Sequence, residues 1–241
     1  MSLSLAPQLE VRRQRVNSGA EADLNHALDL LQQVKEGSQG ALLRLYRPEP
    51  TVAFGQRDAR LPGFAAAQDA ARRNGFVPAV RRAGGRAAAY HQGTLIVDHI
   101  QPESDAIAGA KARFGLFGDM FAQALRSLGL DAGVGEIPGE YCPGEFSVYG
   151  RSGTFSTKLI GTAQRVVSGA WLFSSVIVVE NSAPIRRVLV DSYAELGLAW
   201  DPATAGAAED LVPGITVDDV EAAVLAAYSG HTELLQPEPL P

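Results

Sequence analysis

The sequence predicts an α+β fold, a mixed and largely antiparallel sheet with helices packed on it, and three observations carry that prediction. Strand-like and helix-like segments interleave without the regular spacing of a doubly wound parallel fold. Three consecutive strand-like runs, at 146–148, 154–165 and 170–179, alternate apolar and polar residues in part, as antiparallel neighbours do. The 241 residues hold no internal repeat and no long low-complexity linker. One domain over 1–241 is therefore expected, with a core at about 20–180 and a helical segment at 181–241.

The elements follow in order. Residues 20–34 read as an amphipathic helix, because Leu24, Ala27, Leu28, Leu31 and Val34 recur at spacings of three and four, with Ser18 as its cap. Runs at 41–46 and 51–54 are strands joined by the Pro-rich turn Arg47-Pro48-Glu49-Pro50. The Ala-rich stretch 64–73 is a helix stopped by a left-handed turn at Asn74-Gly75, and a strand follows at 77–81. That strand breaks at Gly84-Gly85 and resumes as a second strand through Val97; glycines there permit positive φ and let backbone amides approach a ligand. Residues 105–128 are the longest helical stretch, weakened by Gly109, Gly115 and Gly118. After the three strands come helices at 185–196 and 217–228 and a Pro-rich tail expected to fray.

Composition excludes several classes. A lone cysteine rules out an intrachain disulfide, and no basic segment followed by an apolar stretch opens the sequence, so a cytoplasmic location is expected. No apolar run approaches the roughly 20 residues that span a bilayer, since Val176-Ile177-Val178-Val179 ends at Glu180. A net charge of −6 disfavours nucleic acid as a partner, and the residues before Ala20 are too few for a helix-turn-helix. The arginines nevertheless cluster: Arg57, Arg60, Arg72, Arg73, Arg81, Arg82 and Arg86 lie close in sequence, while the C-terminal quarter is acidic. A basic mouth formed by Arg57, Arg81 and Arg82 suits a phosphorylated ligand or an acidic protein partner, with salt-sensitive association.

The candidate chemistry centres on Cys142, in Glu140-Tyr141-Cys142-Pro143-Gly144, and on Lys158, sixteen residues later. A thiolate can carry an acyl group as a thioester, and a nearby ammonium stabilises the charge that develops on the carbonyl oxygen. A free cysteine is commonly a small buried hydrophobe, but Pro143, Gly139 and Gly144 mark a turn that exposes the sulfur. His91 can relay a proton or brace the glycine loop, and bracing is the preferred reading. No separate base is evident, so Lys158 is open to two readings, an electrostatic stabiliser or, when neutral, the base that takes the acceptor's proton, and no metal-ligating set stands out.

Three blocks give the chain a resemblance to the biotin/lipoate protein ligase family, in its lipoate ligase and octanoyltransferase branch, over about 24–179. They are Asp23-Leu24-Asn25-His26-Ala27-Leu28, the Arg81-Arg82 loop with its diglycine and His91, and Lys158-Leu159-Ile160-Gly161-Thr162-Ala163-Gln164. The resemblance implies a biotin/lipoate ligase catalytic-domain fold, in which the loop of Arg81, Arg82, Gly84, Gly85 and His91 lies over the acyl group. It also implies that Lys158 meets the acyl carbonyl, and that Gly161, Thr162 and Ala163 border a narrow acyl tunnel. Cys142 is similar in place to the cysteine of amidotransferases that move octanoyl or lipoyl groups between lipoyl-bearing proteins. The implied partners are the glycine-cleavage H protein and 2-oxoacid dehydrogenase E2 subunits, with acyl carrier protein open as donor. No cofactor is then required, the octanoyl or lipoyl group being substrate.

The alternatives are an ATP-dependent lipoate ligase acting through an adenylate, which alone would use ATP and Mg, and a non-catalytic binder of an acyl group or lipoyl domain. Only about sixty residues follow Val179, short for the additional C-terminal domain of many ligases. Arg86, where ligases often have a small residue, and the longer turn Ser152-Gly153-Thr154 depart from the family pattern.

Overall fold

A computed structural model of the chain describes residues 5–236; the Pro-rich end at 237–241 lies outside the described residues. Among them the main sheet runs β11 (Glu233–Leu235), β1 (Gln8–Gln14), β2 (Leu42–Tyr46), β6 (Thr94–Glu103), β10 (Gly169–Val178), β9 (Phe155–Val167), β8 (Val148–Ser152) and β7 (Asp131–Val134). Only β1 pairs in parallel, with β11 and β2. The other neighbours are antiparallel, so the sheet is mixed and largely antiparallel as expected. A second sheet sets β3 (Thr51–Phe54) between β4 (Val77–Val80) and β5 (Ala88–Tyr90).

Both faces of the main sheet are covered, which explains strands that read as almost unbroken apolar runs. On one face lie α3 (Ala110–Ser127) and α5 (Val217–Ser229), packed over Leu95, Val97 and Phe173. On the other lies α1 (Ala20–Glu36), over Leu42, Ile100 and Leu172. The small sheet packs against α2 (Phe64–Arg73) and α4 (Ser182–Leu196).

Several elements differ from expectation. Ser18 does not cap α1: Gly19 is the cap residue, and the first N–H of the helix, on Ala20, donates to Glu49 Oε1. The long helix begins at Ala110 instead of 105, because 104–109 form turns that end at Gly109. The segment after the diglycine becomes two strands in different sheets, β5 and β6. Three strands had no sequence expectation: β1, β7 and β11, the last lying within the segment read as helical.

Arg44 and Asp98 face each other across β2 and β6, and both are buried. The guanidinium donates to Asp98 Oδ2 at 2.9 Å, to the Asp23 carbonyl at 3.1 Å and to Gln14 Oε1 at 2.9 Å. This set of partners keeps a fully buried charge hydrogen-bonded.

His99 is buried among Phe117, Trp171 and Tyr228. Burial pushes its imidazole down from an ordinary 6.5 to about 3, with the Gln101 side chain opposing. The unfolded chain takes up a proton near 6.5 and the folded chain does not, so stability falls as pH drops from about 6.5 towards 3. The limiting slope is roughly 1.4 kcal/mol per pH unit. Urea unfolding of the native protein and of His99→Phe at pH 7, 6 and 5 checks this. The expected result is a flatter profile for the variant; parallel profiles would contradict the assignment.

Candidate active site

The site forms where the sheet comes apart. β8 follows β9 as far as the Val148 and Ile160 pair, with an irregular register at Val148/Tyr149, and among the described residues no strand continues beside Gly161–Val167 on that side. The segment that precedes β8, residues 140–147, runs as irregular chain with a bend and a turn beside this opening. A cleft of about 500 Å³ results. Lys158, Gly161, Thr162 and Gln164 of β9 form one wall and Cys142 through Ser147 another. Arg81, Gly85 and Ala88 close it from the small sheet, and Ala110, Lys111 and Phe114 from the start of α3. Phe114 stacks on Phe146 with ring centroids 5.6 Å apart, giving that end an aromatic surface.

Cys142 sits in the left-handed region at φ 44°, unusual for a side-chain-bearing residue and sustained only when its surroundings fix it. Its N–H donates to the Tyr193 hydroxyl at 3.0 Å, and that hydroxyl donates to the Ala87 carbonyl at 2.9 Å. Burial first, and then the adjacent Cys142, pushes the Tyr193 phenol well above its ordinary range, so it serves as a neutral donor. The sulfur is half-buried and accepts from the Arg86 N–H at 3.1 Å, with Arg81 Nη2 at 3.8 Å. Two donors thus aim at the sulfur, the surroundings that a nucleophilic thiolate needs.

Lys158 is buried, and each of its three N–H bonds has an acceptor. The ammonium donates to the Cys142 carbonyl at 2.8 Å, the Tyr141 carbonyl at 3.1 Å and Glu140 Oε1 at 3.2 Å. The Tyr141 ring centroid lies 5.0 Å from Nζ, and burial raises the Tyr141 phenol above its usual range. Cys142 and Lys158 thus share one cleft and one hydrogen-bonded loop.

The other sequence candidates separate into groups. Arg81 and Gly85 touch the sulfur's surroundings, and Gly161 and Thr162 line the cleft. Ala163 is buried opposite Ser174, and it is not in the cleft lining. Arg82 and Gly84 are exposed; Arg82 borders a smaller cavity of about 50 Å³ that shares Arg81 and Val176 with the cleft. His91 lies away from the cleft. Its Nε2 is 2.9 Å from the Asn181 carbonyl and its Nδ1 accepts from Gly93 N–H at 2.9 Å, so its contacts are those of a brace, not of a group lining the cleft. Arg57 is exposed. Among the described residues no group of three or more His, Cys, Asp or Glu could hold a metal ion.

Three residues of the site carried no functional reading in the sequence: Glu140, Tyr193 and Asp58. Buried Asp58 accepts from Arg86 Nη1 at 3.0 Å and from Gly55 N–H at 2.9 Å, and so fixes the loop that presents the Arg86 amide. The charge at Arg86, where a small residue was the family expectation, is thereby used.

The two loop glycines are not equivalent. A Cβ on Gly85, at φ 100°, would lie 2.6 Å from Arg81 Nη2 and 2.9 Å from Cys142 Sγ, whereas one on Gly84 meets nothing within 4 Å. Gly85→Ala is therefore expected to cost about 1–3 kcal/mol and to slow iodoacetamide alkylation of Cys142, while Gly84→Ala changes neither. Thermal melting and timed alkylation check this, and equal behaviour of the two variants would contradict it.

The fold, the cleft and the Lys158 strand define a catalytic domain of the lipoate ligase type, and comparison with known proteins agrees. Residues 21–229 match the lipoyl protein ligase A/B catalytic domain, and the chain belongs to that family. An octanoyl-[GcvH]:protein N-octanoyltransferase of Geobacillus kaustophilus is 30% identical over 199 residues, covering 81% of this chain and 68% of that one. An enzyme of the same name from Exiguobacterium sibiricum is 32% identical over 163 residues, covering 65% of this chain and 56% of that one, so the match spans little more than half of that relative. In fold, the chain is similar to a lipoate-protein ligase A solved with bound ATP, with a TM-score of 0.74 at 20% identity over 95% of this chain and 88% of the other.

Proposed function

We propose that the chain is an acyltransferase that moves an octanoyl or lipoyl group onto a lysine of a lipoyl-domain protein by way of a Cys142 thioester. One observation carries the reading: the Cys142 sulfur stands at the cleft wall facing two donors, on a loop whose carbonyls hold the Lys158 ammonium. The relatives named as octanoyl-[GcvH]:protein N-octanoyltransferases support the acyl group and the kind of partner.

In the first half-reaction the Cys142 thiolate attacks the acyl carbonyl carbon, a C–S bond forms and the bond to the donor breaks, the donor leaving as its thiolate or as an amine that takes a proton from solvent. In the second, the unprotonated ε-amine of the acceptor lysine attacks the thioester. The C–S bond breaks, the thiolate returns, and the proton on nitrogen passes to solvent. Each tetrahedral intermediate places negative charge on the former carbonyl oxygen, and Lys158 meets it by exchanging one of its two backbone acceptors for that oxygen. An amide is more stable than a thioester, so transfer from a thioester donor runs downhill and amide-to-amide exchange is nearly balanced.

The acyl chain is proposed to run from the sulfur towards the smaller cavity. The smaller cavity is lined by Leu24, Leu28, Ile96, Leu172 and Val176 between α1 and the sheet, and it shares Val176 with the cleft. Each methylene seated there contributes about 0.8 kcal/mol. On this reading Arg81 and Gly85 cover the thioester, Gly161 and Thr162 border it, Ala163 keeps the adjoining strand slim, and Arg82, Gly84 and Arg57 face the acidic partner. Residues 1–241 act as one catalytic domain in the cytoplasm, and no cofactor is needed.

Octanoyl-acyl carrier protein, octanoylated glycine-cleavage H protein, and free octanoate with ATP, each supplied alone with an acceptor lipoyl domain, test the assignment. Labelling from either acylated protein without ATP is the expected result. Labelling only from octanoate with ATP, with release of pyrophosphate, would instead define a ligase.

A further inference from the structure

Glu140 is a buried acid beside the cleft, with a fully covered carboxylate. Its Oε1 accepts three hydrogen bonds: from the Ser147 hydroxyl at 2.7 Å, the Gly144 N–H at 2.9 Å and Lys158 Nζ at 3.2 Å. Its Oε2 is buried with no hydrogen-bond partner. A half-satisfied buried carboxylate is a poor source of stability, because desolvation offsets much of what the ion pair returns. Stability alone therefore does not explain an acid at this position.

The arrangement of the three donors does explain it. Gly144 and Ser147 lie downstream of Cys142 and Glu140 lies just upstream, so one carboxylate oxygen closes the turn on itself with the cysteine inside it. The same oxygen takes Lys158, whose other two hydrogens reach the Tyr141 and Cys142 carbonyls. The left-handed backbone of Cys142, which costs free energy for a side-chain-bearing residue, is held by these bonds and by Tyr193. Glu140 is absent from the cleft lining, so any effect on the site acts through its neighbours.

We propose that Glu140 is a positioning residue for acyl transfer: its carboxylate holds the Cys142 turn closed and fixes the Lys158 ammonium beside the nucleophile. The transfer role of the inference rests on the function proposed above, while the effect on the sulfur does not. Losing the carboxylate lets the turn relax, and misplacement of a reacting group by about 1 Å slows reaction by up to roughly 100-fold.

The test uses the full chain with Glu140→Gln, which keeps an oxygen acceptor for Gly144 and Ser147 while removing the charge, and Glu140→Ala, which removes both. Three quantities are measured per folded molecule, the folded fraction being taken from thermal melting: single-turnover acylation by an octanoylated donor, the donor KM, and alkylation of Cys142 by iodoacetamide. The expected result is acylation slowed roughly 10- to 100-fold in Glu140→Ala with little change in KM, a smaller loss in Glu140→Gln, and altered alkylation in the alanine variant. Rates per folded molecule equal to those of the native protein in both variants would overturn the inference, leaving Glu140 a structural acid only. Native protein that takes no acyl group from any donor would overturn the proposed function instead, and the alkylation rates would still decide whether Glu140 places the sulfur.

Discussion

Cys142→Ala is expected to lower turnover by on the order of 10⁴-fold, because in the proposed mechanism it removes the atom that carries the acyl group between two proteins. The substitution deletes only the sulfur. The residue's N–H still reaches Tyr193 and its carbonyl still receives Lys158, so the loop keeps its ties. The lost contacts are those of Sγ with the Arg86 N–H and Arg81. Melting within a few degrees of the native protein is the expected control, and steady-state transfer from an octanoylated donor is the measurement. Activity near the native level would mean that the acyl group passes directly from donor to acceptor.

Lys158→Ala is expected to be damaging in two separable ways. It leaves the buried Glu140 carboxylate without its cation, for which about 3–5 kcal/mol of stability is the usual loss, and it removes the group that meets the oxyanion in the proposed mechanism. At this chain length the stability term lowers the melting temperature by on the order of 10 °C. Pairing Lys158→Met with Glu140→Gln removes the charges together, so most of that loss should be regained while transfer remains absent. Calorimetry and the transfer assay on the single and double variants separate the two effects. Recovery of activity along with stability would assign Lys158 to structure alone.

The sequence made the class of fold legible because long strands and helices announce their period. What stayed hidden was short or set by distant pairing. β7 has four residues and β11 three, and β1 carries Arg12 and Arg13 beside its buried Leu9 and Val11. Its place is fixed by parallel pairing with strands more than twenty residues away on either side, which no local pattern encodes. The buried Arg44 and Asp98 pair had a visible signal, one charge of each sign inside two otherwise apolar strand runs, Leu42-Leu43-Arg44-Leu45 and Ile96-Val97-Asp98. At the candidate site, Cys142 and Lys158 stood out by residue type. Glu140 did not, because an acid in a turn reads as a solvated charge until the fold shows its three donors, the Lys158 ammonium among them. His91 drew attention as a histidine near glycines, but an imidazole with both nitrogens engaged to backbone groups braces a turn.

The acyl-enzyme itself is the most direct test. Intact-protein and peptide mass spectrometry of the native chain, quenched in acid after mixing with octanoylated glycine-cleavage H protein or octanoyl-acyl carrier protein, should find one octanoyl group on Cys142. Hydroxylamine should remove it, and Cys142→Ala should not acquire it. An octanoyl group that appears in the alanine variant, or one that sits on Lys158 and resists hydroxylamine, would contradict the account.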